Sequence, residues 1–276
     1  MEPLEGNPVP QSPEVAPPGG ESAPSAPAKG EGFKELARSL IVVLAAVVLI
    51  RTFIAEATVI PTGSMENTIL IGDHVFLNKL LYGPHLPYTS LRIPPLRSVK
   101  RGDIVAFHNP RNPSVLFVKR AIALGGDVIR IEDRKVYLNG KALDEPYAQY
   151  QSSNFIPLRD NFPPEVSEIE TLPAAWGLDP AWAREMAHYI EKGGMRVPTG
   201  CLFVMGDNRD NSLDSRFWGF VPVENVVGEP LFVYWSYDAP TPYWTPETIG
   251  DFVRAKLSIA WNFLGKTRWS RTGKTF

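Results

Sequence analysis

The first 56 residues change abruptly from polar to apolar character. Residues 1–35 consist mainly of Pro, Gly, Ser, Ala and Glu, and the first 30 contain eight Pro and four Gly. Such a segment buries too little apolar surface to offset the cost of ordering its backbone, which is about 1–2 kcal/mol per residue. We therefore predict a disordered, Pro-rich tail over residues 1–35 and an apolar helix over residues 36–56.

The apolar segment 36–56 reaches membrane-spanning length only when two flanking arginines are included. Its charge-free run, Ser39–Ile50, has 12 residues, whereas a transmembrane helix needs about 20. Residues 36–55 supply that length if Arg38 and Arg51 extend their charged ends toward opposite interfaces. A buried core helix is the alternative, but a polar tail that leads straight into an apolar helix favours a transmembrane anchor.

The basic residues around this segment predict its orientation. Lys29, Lys34 and Arg38 precede its charge-free run Ser39–Ile50, whereas Arg51 is the only basic residue between that run and Lys79. By the positive-inside rule, the N-terminus is cytoplasmic. We expect a single-pass protein of the cell (inner) membrane with its main domain outside the cytoplasm, in the periplasm.

A cleaved signal peptide is a third interpretation of the same segment. Ala55-Glu56-Ala57 has the small-x-small pattern of a cleavage site. The long tail before the apolar run and the charge of Arg51 before the site disfavour it. We therefore predict an uncleaved anchor.

From residue 57 to residue 248 the pattern is mainly that of β-strands. Short runs of Val, Ile, Phe and Tyr lie between Gly, Pro and Asn, and Asn139-Gly140 joins two such runs as a hairpin turn. Strands do not alternate with long helices, which excludes a parallel α/β sheet. We predict a mainly β domain over residues 57–248, in which the polar, Pro-containing stretch 146–195 is a variable insertion.

The C-terminal segment 249–276 is basic and aromatic. It has six Lys or Arg against one Asp, with Phe, Leu and Trp interspersed. Such a segment can lie on an anionic membrane surface, or it can be a helix that packs on the domain and ends in a basic stretch. The sequence leaves both interpretations open.

Composition excludes several classes of protein. The chain has 276 residues and a formal net charge of −2, which argues against nucleic-acid binding through overall charge. The single cysteine, Cys201, excludes an internal disulfide framework and a Cys-based metal site within the chain. The four histidines lack metal-ligand spacing, so we expect no metal and no organic cofactor.

Four ordered blocks in the β region carry the candidate chemistry. They are Ile60-Pro-Thr-Gly-Ser64-Met65 continuing to Gly72-Asp73, Arg101-Gly-Asp-Ile-Val-Ala-Phe107, Lys119-Arg-Ala-Ile-Ala-Leu-Gly-Gly-Asp127, and Gly206-Asp-Asn-Arg-Asp-Asn-Ser212-Leu-Asp214-Ser-Arg216-Phe-Trp-Gly219. On these blocks the sequence resembles the bacterial type I signal peptidases (leader peptidases, peptidase family S26), which are membrane-anchored serine proteases. The resemblance covers the apolar segment and most of residues 57–235. It implies an antiparallel-sheet catalytic domain of the signal-peptidase type behind one N-terminal transmembrane helix.

The resemblance implies a serine–lysine dyad. It places the nucleophile on Ser64 and the general base on Lys119, because a serine hydroxyl needs a base before it can attack. An ordinary lysine has a pKa of about 10.4, so burial must lower it before the amine can accept a proton near neutral pH. By the same resemblance Thr62 donates to the oxyanion, and Ser212 orients the lysine amine.

Further residues match supporting positions of the family. Asp214 and Arg216 match an ion pair that braces the fourth block, with Asp210 and Arg209 nearby. Eight apolar residues match the shallow pockets that accept small side chains at the −1 and −3 positions before the cut: Ile60, Pro61, Met65, Ile69, Val75, Phe117, Val118 and Ala106.

Two positions depart from the family's usual pattern. Asn67 and Gly125 stand where the family usually has proline. Both Asn and Gly can form turns, so we expect altered local rigidity with the mechanism intact.

The resemblance implies a membrane-bound endopeptidase that removes signal peptides from secretory preproteins after an Ala-x-Ala site. The expected partners are preproteins and the phospholipid membrane, without nucleic acid, and we expect a monomer. A self-cleaving Ser/Lys protein of the repressor type and an inactive peptide-binding β-domain are the alternatives. The anchor disfavours the first, and the intact Ser64, Lys119, Thr62 and Ser212 disfavour the second.

Overall fold

A computed structural model describes most of the chain after the N-terminal tail. The described residues are 29–84, 89, 91–172, 176–191 and 193–276. Most of the predicted disordered tail, residues 1–28, lies outside them. The chain divides into two units, Met1–Ala45 and Ala46–Phe276, and each is described by itself.

One long apolar helix opens the described chain. Helix α1 spans Lys29–Leu49, and a π-helical turn continues it over Ile50–Ile54. Within it, Gly32–Ile54 has a mean hydropathy of 2.2 and no buried residue, and it is the one helix among the described residues that is long and apolar enough to cross a membrane. The helix ends where Ala55 adopts an extended conformation and enters the first strand.

The larger of two sheets has seven strands in the order β1-β2-β12-β3-β4-β10-β11. These strands are β1 Ala55–Val59, β2 Asp73–Asn78, β3 Ile104–Asn109, β4 Asn112–Leu124, β10 Cys201–Met205, β11 Val221–Pro222 and β12 Val226–Ser236. Strand β1 lies at one edge of this sheet, so its outer side is unpaired within it.

The smaller sheet has five strands in the order β7-β6-β5-β9-β8. They are β5 Val128–Glu132, β6 Lys135–Leu138, β7 Lys141–Ala142, β8 Ile190–Glu191 and β9 Gly194–Arg196. The turn between β6 and β7 is the expected one, since Asn139 and Gly140 have φ angles of 52° and 81°. All ladders between the named strands of both sheets are antiparallel, so the predicted antiparallel β fold is confirmed.

The stretch between β7 and β8 holds the short helices of the predicted insertion. They are α2 Pro157–Asp160, a 3₁₀ helix Val166–Thr171, α3 Pro180–Met186 and a 3₁₀ turn Ala187–Tyr189. Helix α3 begins where the Asp179 carboxylate accepts bonds from the backbone N–H groups of Ala181 and Trp182. The side chains of Trp182 and Met186 are buried, so α3 packs onto the core rather than extending into solvent.

Two hydrophobic clusters stabilise the domain. The larger draws residues from both sheets, among them Phe107, Ile129 and Phe203, and includes Trp182 of α3. The smaller contains Met65 and lies around the turn between β1 and β2: its other buried members are Ile60, Ile69, Val75, Leu77, Ile104, Ala106 and Val233. This second cluster supports the segment that carries Ser64.

The C-terminal segment has an exposed helix and an end that packs on the sheet. Before this segment, the short helix α4 Ser215–Trp218 lies in the loop after β10. Helix α5 Ile249–Trp261 exposes apolar side chains, and Trp261 is 90% exposed. After the short helix α6 Phe263–Lys266, the chain returns to the sheet, where the Gly273 N–H donates to the Val233 carbonyl at 2.7 Å. The end of the chain is therefore part of the domain, whereas α5 leaves an apolar surface exposed.

Gly72 is a position where the fold requires glycine, and this gives a first prediction. Its φ is +82°, and an added Cβ would lie 2.1 Å from the Tyr237 carbonyl oxygen. Gly102 has a similar φ of +90° but nothing within 4 Å. We expect Gly102→Ala to lower the free energy of unfolding by about 1–2 kcal/mol for the left-handed conformation, and Gly72→Ala to lower it by about 1–3 kcal/mol more through overpacking. Urea unfolding of both variants measures the difference, and equal losses would contradict the close approach.

Candidate active site

A tight turn after β1 presents Ser64. Thr62 is extended, with φ −128° and ψ 154°, and a 3₁₀ turn over Gly63–Met65 follows it. The turn buries Ser64, which is 8% exposed, and places Met65 in the smaller core cluster. The Ser64 hydroxyl is thereby held at the base of a cavity instead of in open solvent.

Strand β4 brings Lys119 to the same point. The Nζ of Lys119 lies 2.6 Å from the Oγ of Ser64 and 3.3 Å from the Val118 carbonyl oxygen. It also lies 5.3 Å from the centre of the Phe117 ring. The residue is 4% exposed, so its amine is nearly enclosed by protein atoms with the Ser64 hydroxyl as its closest polar partner.

Burial decides the protonation of this lysine. It lowers the pKa of Lys119 to about 8, because an ammonium ion loses its hydration in the interior. Arg216 lowers the pKa further, while Asp214 and Asp207 oppose the shift. The amine is therefore neutral in a substantial fraction of molecules at mildly alkaline pH, where an exposed lysine would be charged.

The loop after β10 closes against the serine turn. The Asn208 N–H donates to the Ser64 carbonyl oxygen at 3.1 Å, and its side-chain amide donates to the Gly63 carbonyl at 3.2 Å. An added Cβ at Gly206 would lie 2.3 Å from the Ser64 carbonyl oxygen and 2.4 Å from the Ser212 Oγ. Glycine at 206 is therefore what allows this loop to approach the serine.

Ser212 lines the same cavity as Ser64 and Lys119, but no hydrogen bond joins its hydroxyl to the lysine amine. Its Oγ is buried and makes no hydrogen bond of ordinary geometry to any described residue. It lies close enough to Asp214 to help lower the pKa of that carboxyl. The structure thus places Ser212 in the lining of the cavity that Ser64 and Lys119 also line.

Asp214 and Arg216 form a fully buried, two-point ion pair. The guanidinium donates from Nε and Nη2 to the two carboxylate oxygens at 2.8 Å each. Arg216 also donates to the carbonyls of Arg159 and Arg209, at 3.0 and 2.9 Å. Because both charges are buried and mutually satisfied, the pair fixes the loop and keeps the pKa of Asp214 low, although burial alone would raise it.

Asp210 and Arg209 have separate partners, both within residues 145–152. Arg209 donates to the Glu145 carboxylate at 2.7 and 3.0 Å. Asp210 accepts bonds from the backbone N–H groups of Gln151 and Ser152, at 2.6 and 2.7 Å. These two residues attach residues 145–152 to the loop after β10.

A cavity of about 580 Å³ contains the dyad, and it separates the predicted substrate-binding residues into two groups. Ile60, Pro61, Met65, Phe117 and Val118 line it, together with Thr62, Ser64, Lys119 and Ser212. The other three do not line it: they are fully buried members of the smaller core cluster, namely Ile69, Val75 and Ala106. They lie in the core that supports the serine turn.

Sequence reasoning missed two charged groups that hold the site. Arg120 donates to the Asp207 carboxylate at 2.8 and 2.6 Å, on the strand face opposite to Lys119. The only signal was a Lys-Arg dipeptide inside an otherwise apolar strand.

The second missed group connects the chain end to the segment after Ser64. Asp73 accepts bonds from Leu70 N–H at 2.9 Å and from the Ser236 hydroxyl at 2.6 Å. Arg271 donates to the same carboxylate and, at 3.2 Å, to the Thr68 carbonyl. No sequence pattern indicated this pairing, because almost 200 residues separate the two charges.

Asn67 differs in conformation from the proline that the family usually has there. Its φ is +87°, whereas proline fixes φ near −65°. Its side-chain amide donates to the Tyr147 carbonyl at 3.2 Å. The turn after Ser64 therefore adopts a backbone conformation that proline could not, and it contacts the insertion instead.

Comparison with known proteins identifies the relatives of this chain. Residues 33–235 match the family described as signal peptidase, peptidase S26. The signal peptidase I of Aquifex aeolicus is 36% identical over 260 residues, which cover 85% of this chain and 95% of that protein. The signal peptidase I of Pseudomonas fluorescens is 33% identical over 219 residues, covering 75% of this chain and 74% of that protein.

The chain belongs to the signal peptidase family, peptidase S26. It is therefore a peptidase, a hydrolase of peptide bonds. The signal peptidase I of Leptolyngbya laminosa matches at 30% identity over 83% of this chain and 90% of its own. The match to the family begins within α1 and ends in β12, so it covers most of the apolar helix and nearly all of the larger sheet.

The buried amine of Lys119 gives a second prediction. We expect the pKa of its side chain to be about 8, below the usual value of about 10.4 for lysine. Carbon-13 chemical shifts of the lysine Cε atoms, followed against pH in the detergent-solubilised protein, measure this value. Lys119→Met assigns the shifted signal by removing it, and a wild-type protein without a lysine signal that titrates near pH 8 would contradict the role of burial.

Proposed function

We propose that this signal peptidase is a membrane-bound serine endopeptidase that cleaves N-terminal signal peptides from secreted preproteins. The observation that carries the proposal is the buried contact of 2.6 Å between Ser64 Oγ and Lys119 Nζ. The names of the relatives support the substrate class. Secretory preproteins and the phospholipid membrane are the proposed partners, and the proposed form is a monomer.

The chemistry needs one proton carrier and one nucleophile. Neutral Lys119 accepts the Ser64 proton while Oγ attacks the carbonyl carbon, which gives a tetrahedral intermediate with a negative oxygen. Protonated Lys119 then donates to the leaving amine, the C–N bond breaks, and an acyl-enzyme remains. Water then hydrolyses the acyl-enzyme. Its proton goes to Lys119 while its oxygen attacks the ester carbon, the bond to Ser64 Oγ breaks, and Lys119 returns the proton to Ser64.

Thr62 and Ser212 have supporting roles in this proposal. Thr62 lines the cavity two residues before the nucleophile, where its hydroxyl can donate to the developing oxyanion beside the Ser64 backbone N–H. Ser212 orients the lysine amine. The ion pair of Asp214 and Arg216 positions this loop, and Asp210 and Arg209 attach it to residues 145–152.

Substrate selection follows from the free strand edges and the apolar lining. Strand β10 pairs with β4 only over Arg120–Leu124, so residues 115–119 have an unpaired side that faces the cavity. An extended peptide between this edge and residues 58–62 can form main-chain hydrogen bonds that do not depend on sequence. The apolar lining by Ile60, Met65 and Phe117 accepts small side chains, which supports cleavage after Ala-x-Ala.

Membrane attachment places the enzyme where its substrates emerge. We assign the anchor to residues 36–56, with residues 1–35 cytoplasmic and residues 57–248 extracytoplasmic. The apolar window Gly32–Ile54 supports this assignment. Tethering raises the effective concentration of enzyme at the membrane, so weak binding of each preprotein suffices.

Self-cleavage after Ala57 is disfavoured in the folded protein. Ala57 pairs with Phe76 inside the ladder of β1 with β2. A protease must bind its substrate as an extended segment with free main-chain groups, and β1 has already used those on one side. Removal of this anchor would therefore require β1 to leave the sheet.

The dyad gives a third prediction. We expect purified protein to cleave a preprotein with an Ala-x-Ala site, and Ser64→Ala and Lys119→Met to lower kcat by at least about 10³-fold. The exposed Lys100→Ala is the matched lysine control and should retain activity. Gel analysis of the cleaved preprotein measures the rates. Wild-type activity in either dyad variant would exclude the mechanism, and an inactive but folded wild type would favour a peptide-binding function.

The oxyanion contact of Thr62 gives a fourth prediction. Removal of one such donor costs about 2.7–4 kcal/mol in the transition state, or a factor of about 10²–10³ in kcat. We expect Thr62→Val to show this loss with little change in KM, because the substrate carbonyl is bound mainly by other groups. Thr62→Ser keeps the hydroxyl and should retain most activity. Full activity in Thr62→Val would remove Thr62 from the mechanism.

A further inference from the structure

The cavity extends beyond the groups that the proposed mechanism uses. One side of its lining comes from residues 58–62, 64, 65 and 115–119, which include Ser64 and Lys119. A second side comes from residues 210–213 of the loop after β10 and from Ile156, Arg159 and Trp176 of the insertion, and Phe217 and Thr245 complete the lining. The insertion therefore contributes directly to the enclosure of the site.

The position of the dyad assigns a substrate segment to this second side. If residues before the cut occupy the two strand edges, as the proposed function requires, the peptide must leave past Ser64 and Lys119. The loop that lies there is the one after β10, since Gly206 lies against both the Ser64 carbonyl and the Ser212 hydroxyl. Residues after the cut then pass Leu213.

The side chains where the peptide leaves the cavity are apolar and exposed enough to contact a substrate side chain. Leu213 is 56% exposed, and an added Cβ at Gly177 would lie 3.1 Å from its Cδ2, so Leu213 and the segment of Trp176 are neighbours. Trp176 and Ile156 are half-buried. The nearby charge of Arg159 is balanced by Asp160, whose carboxylate accepts two bonds at 2.9 and 2.7 Å.

The exit is also held in place by the loop contacts described above. Asp210 binds the backbone of residues 151 and 152, and Arg209 binds Glu145. The Nη2 of Arg159 lies 3.3 Å from the Oδ1 of Asp210, which forms a further ion pair between the insertion and this loop. An apolar surface fixed in this way can discriminate between side chains, because it cannot move aside at little cost.

We propose that Leu213, Trp176 and Ile156 form a subsite for an apolar side chain at the first or second residue after the cleaved bond. This inference rests on the proposed signal-peptide cleavage and extends it to the mature part of the substrate. The insertion thereby acts as a specificity element. It adds a preference to the Ala-x-Ala rule without touching the reacting atoms.

The test compares two preproteins that are identical up to the cut, including their Ala-x-Ala site. One has Leu and the other Asn at the first two positions after it, because Leu and Asn have similar size and different polarity. We expect the full-length wild-type protein in detergent to have a kcat/KM about tenfold higher for the Leu substrate. Leu213→Ala and Trp176→Ala should reduce this ratio to within about twofold of unity.

Phe155→Ala is the matched control, since Phe155 is an exposed apolar residue of the same insertion that does not line the cavity. It should keep the wild-type ratio. Leu213→Ala alone decides the outcome if Trp176→Ala does not fold, because the exposed Leu213 side chain contributes little to the core.

Two results overturn the subsite: a wild-type ratio near unity, or a Leu213→Ala ratio equal to that of wild type. Cleavage of neither substrate by wild type, or equal cleavage by Ser64→Ala, instead overturns the proposed function on which the subsite rests. The two failures are therefore distinguishable in one set of assays.

Discussion

The burial of one lysine amine is the constraint on which the site depends. A buried ammonium ion is costly to maintain, because its hydration is lost. Lys119 accordingly has its pKa lowered to about 8, and its closest polar partner is the hydroxyl of Ser64. The nearby charges occur as pairs, Asp214 with Arg216 and Asp207 with Arg120. Since each pair largely cancels its own field, desolvation decides the protonation state.

The same charge pairs also connect the loops around the cavity. Asp214 and Arg216 hold the loop after β10, and Arg216 reaches the insertion through the Arg159 carbonyl. Near the turn that carries Ser64, Arg271 joins the chain end to Asp73 and to the Thr68 carbonyl. Breaking a buried pair by removing one partner costs about 3–5 kcal/mol, so these contacts specify one arrangement of the loops. The active-site geometry is thus a product of the whole domain.

Particular residues show how far prediction from sequence reached. Strand patterning and the Asn139-Gly140 turn predicted a mainly β domain with a hairpin, because side-chain alternation and turn conformation are local properties. The family resemblance implied that its sheet is antiparallel, which the strand pairing confirms. The four motif blocks, with their family resemblance, predicted which residues would surround the cavity, and the structure brings Ser64, Lys119, Thr62 and Ser212 to its lining. The sequence pattern did not predict which apolar residues line the cavity. Ile69 and Ile60 both lie next to the serine turn, yet only Ile60 lines the cavity. Which of the two residues does so depends on the tertiary packing of the strands.

The sequence by itself determined the apolar helix and the β-strands, since composition and alternation are local properties of the chain, and its family resemblance marked the candidate nucleophile and base. Only the tertiary structure decided the partners of the buried charges. Arg120 pairs with Asp207, Arg209 with Glu145, and Arg271 with Asp73 across 64 to almost 200 residues. Only the folded chain places the insertion beside the cavity. The physical reason is that a charged residue does not specify its partner in the sequence. Long-range ion pairs form between the strands and loops that the packing of the core brings together.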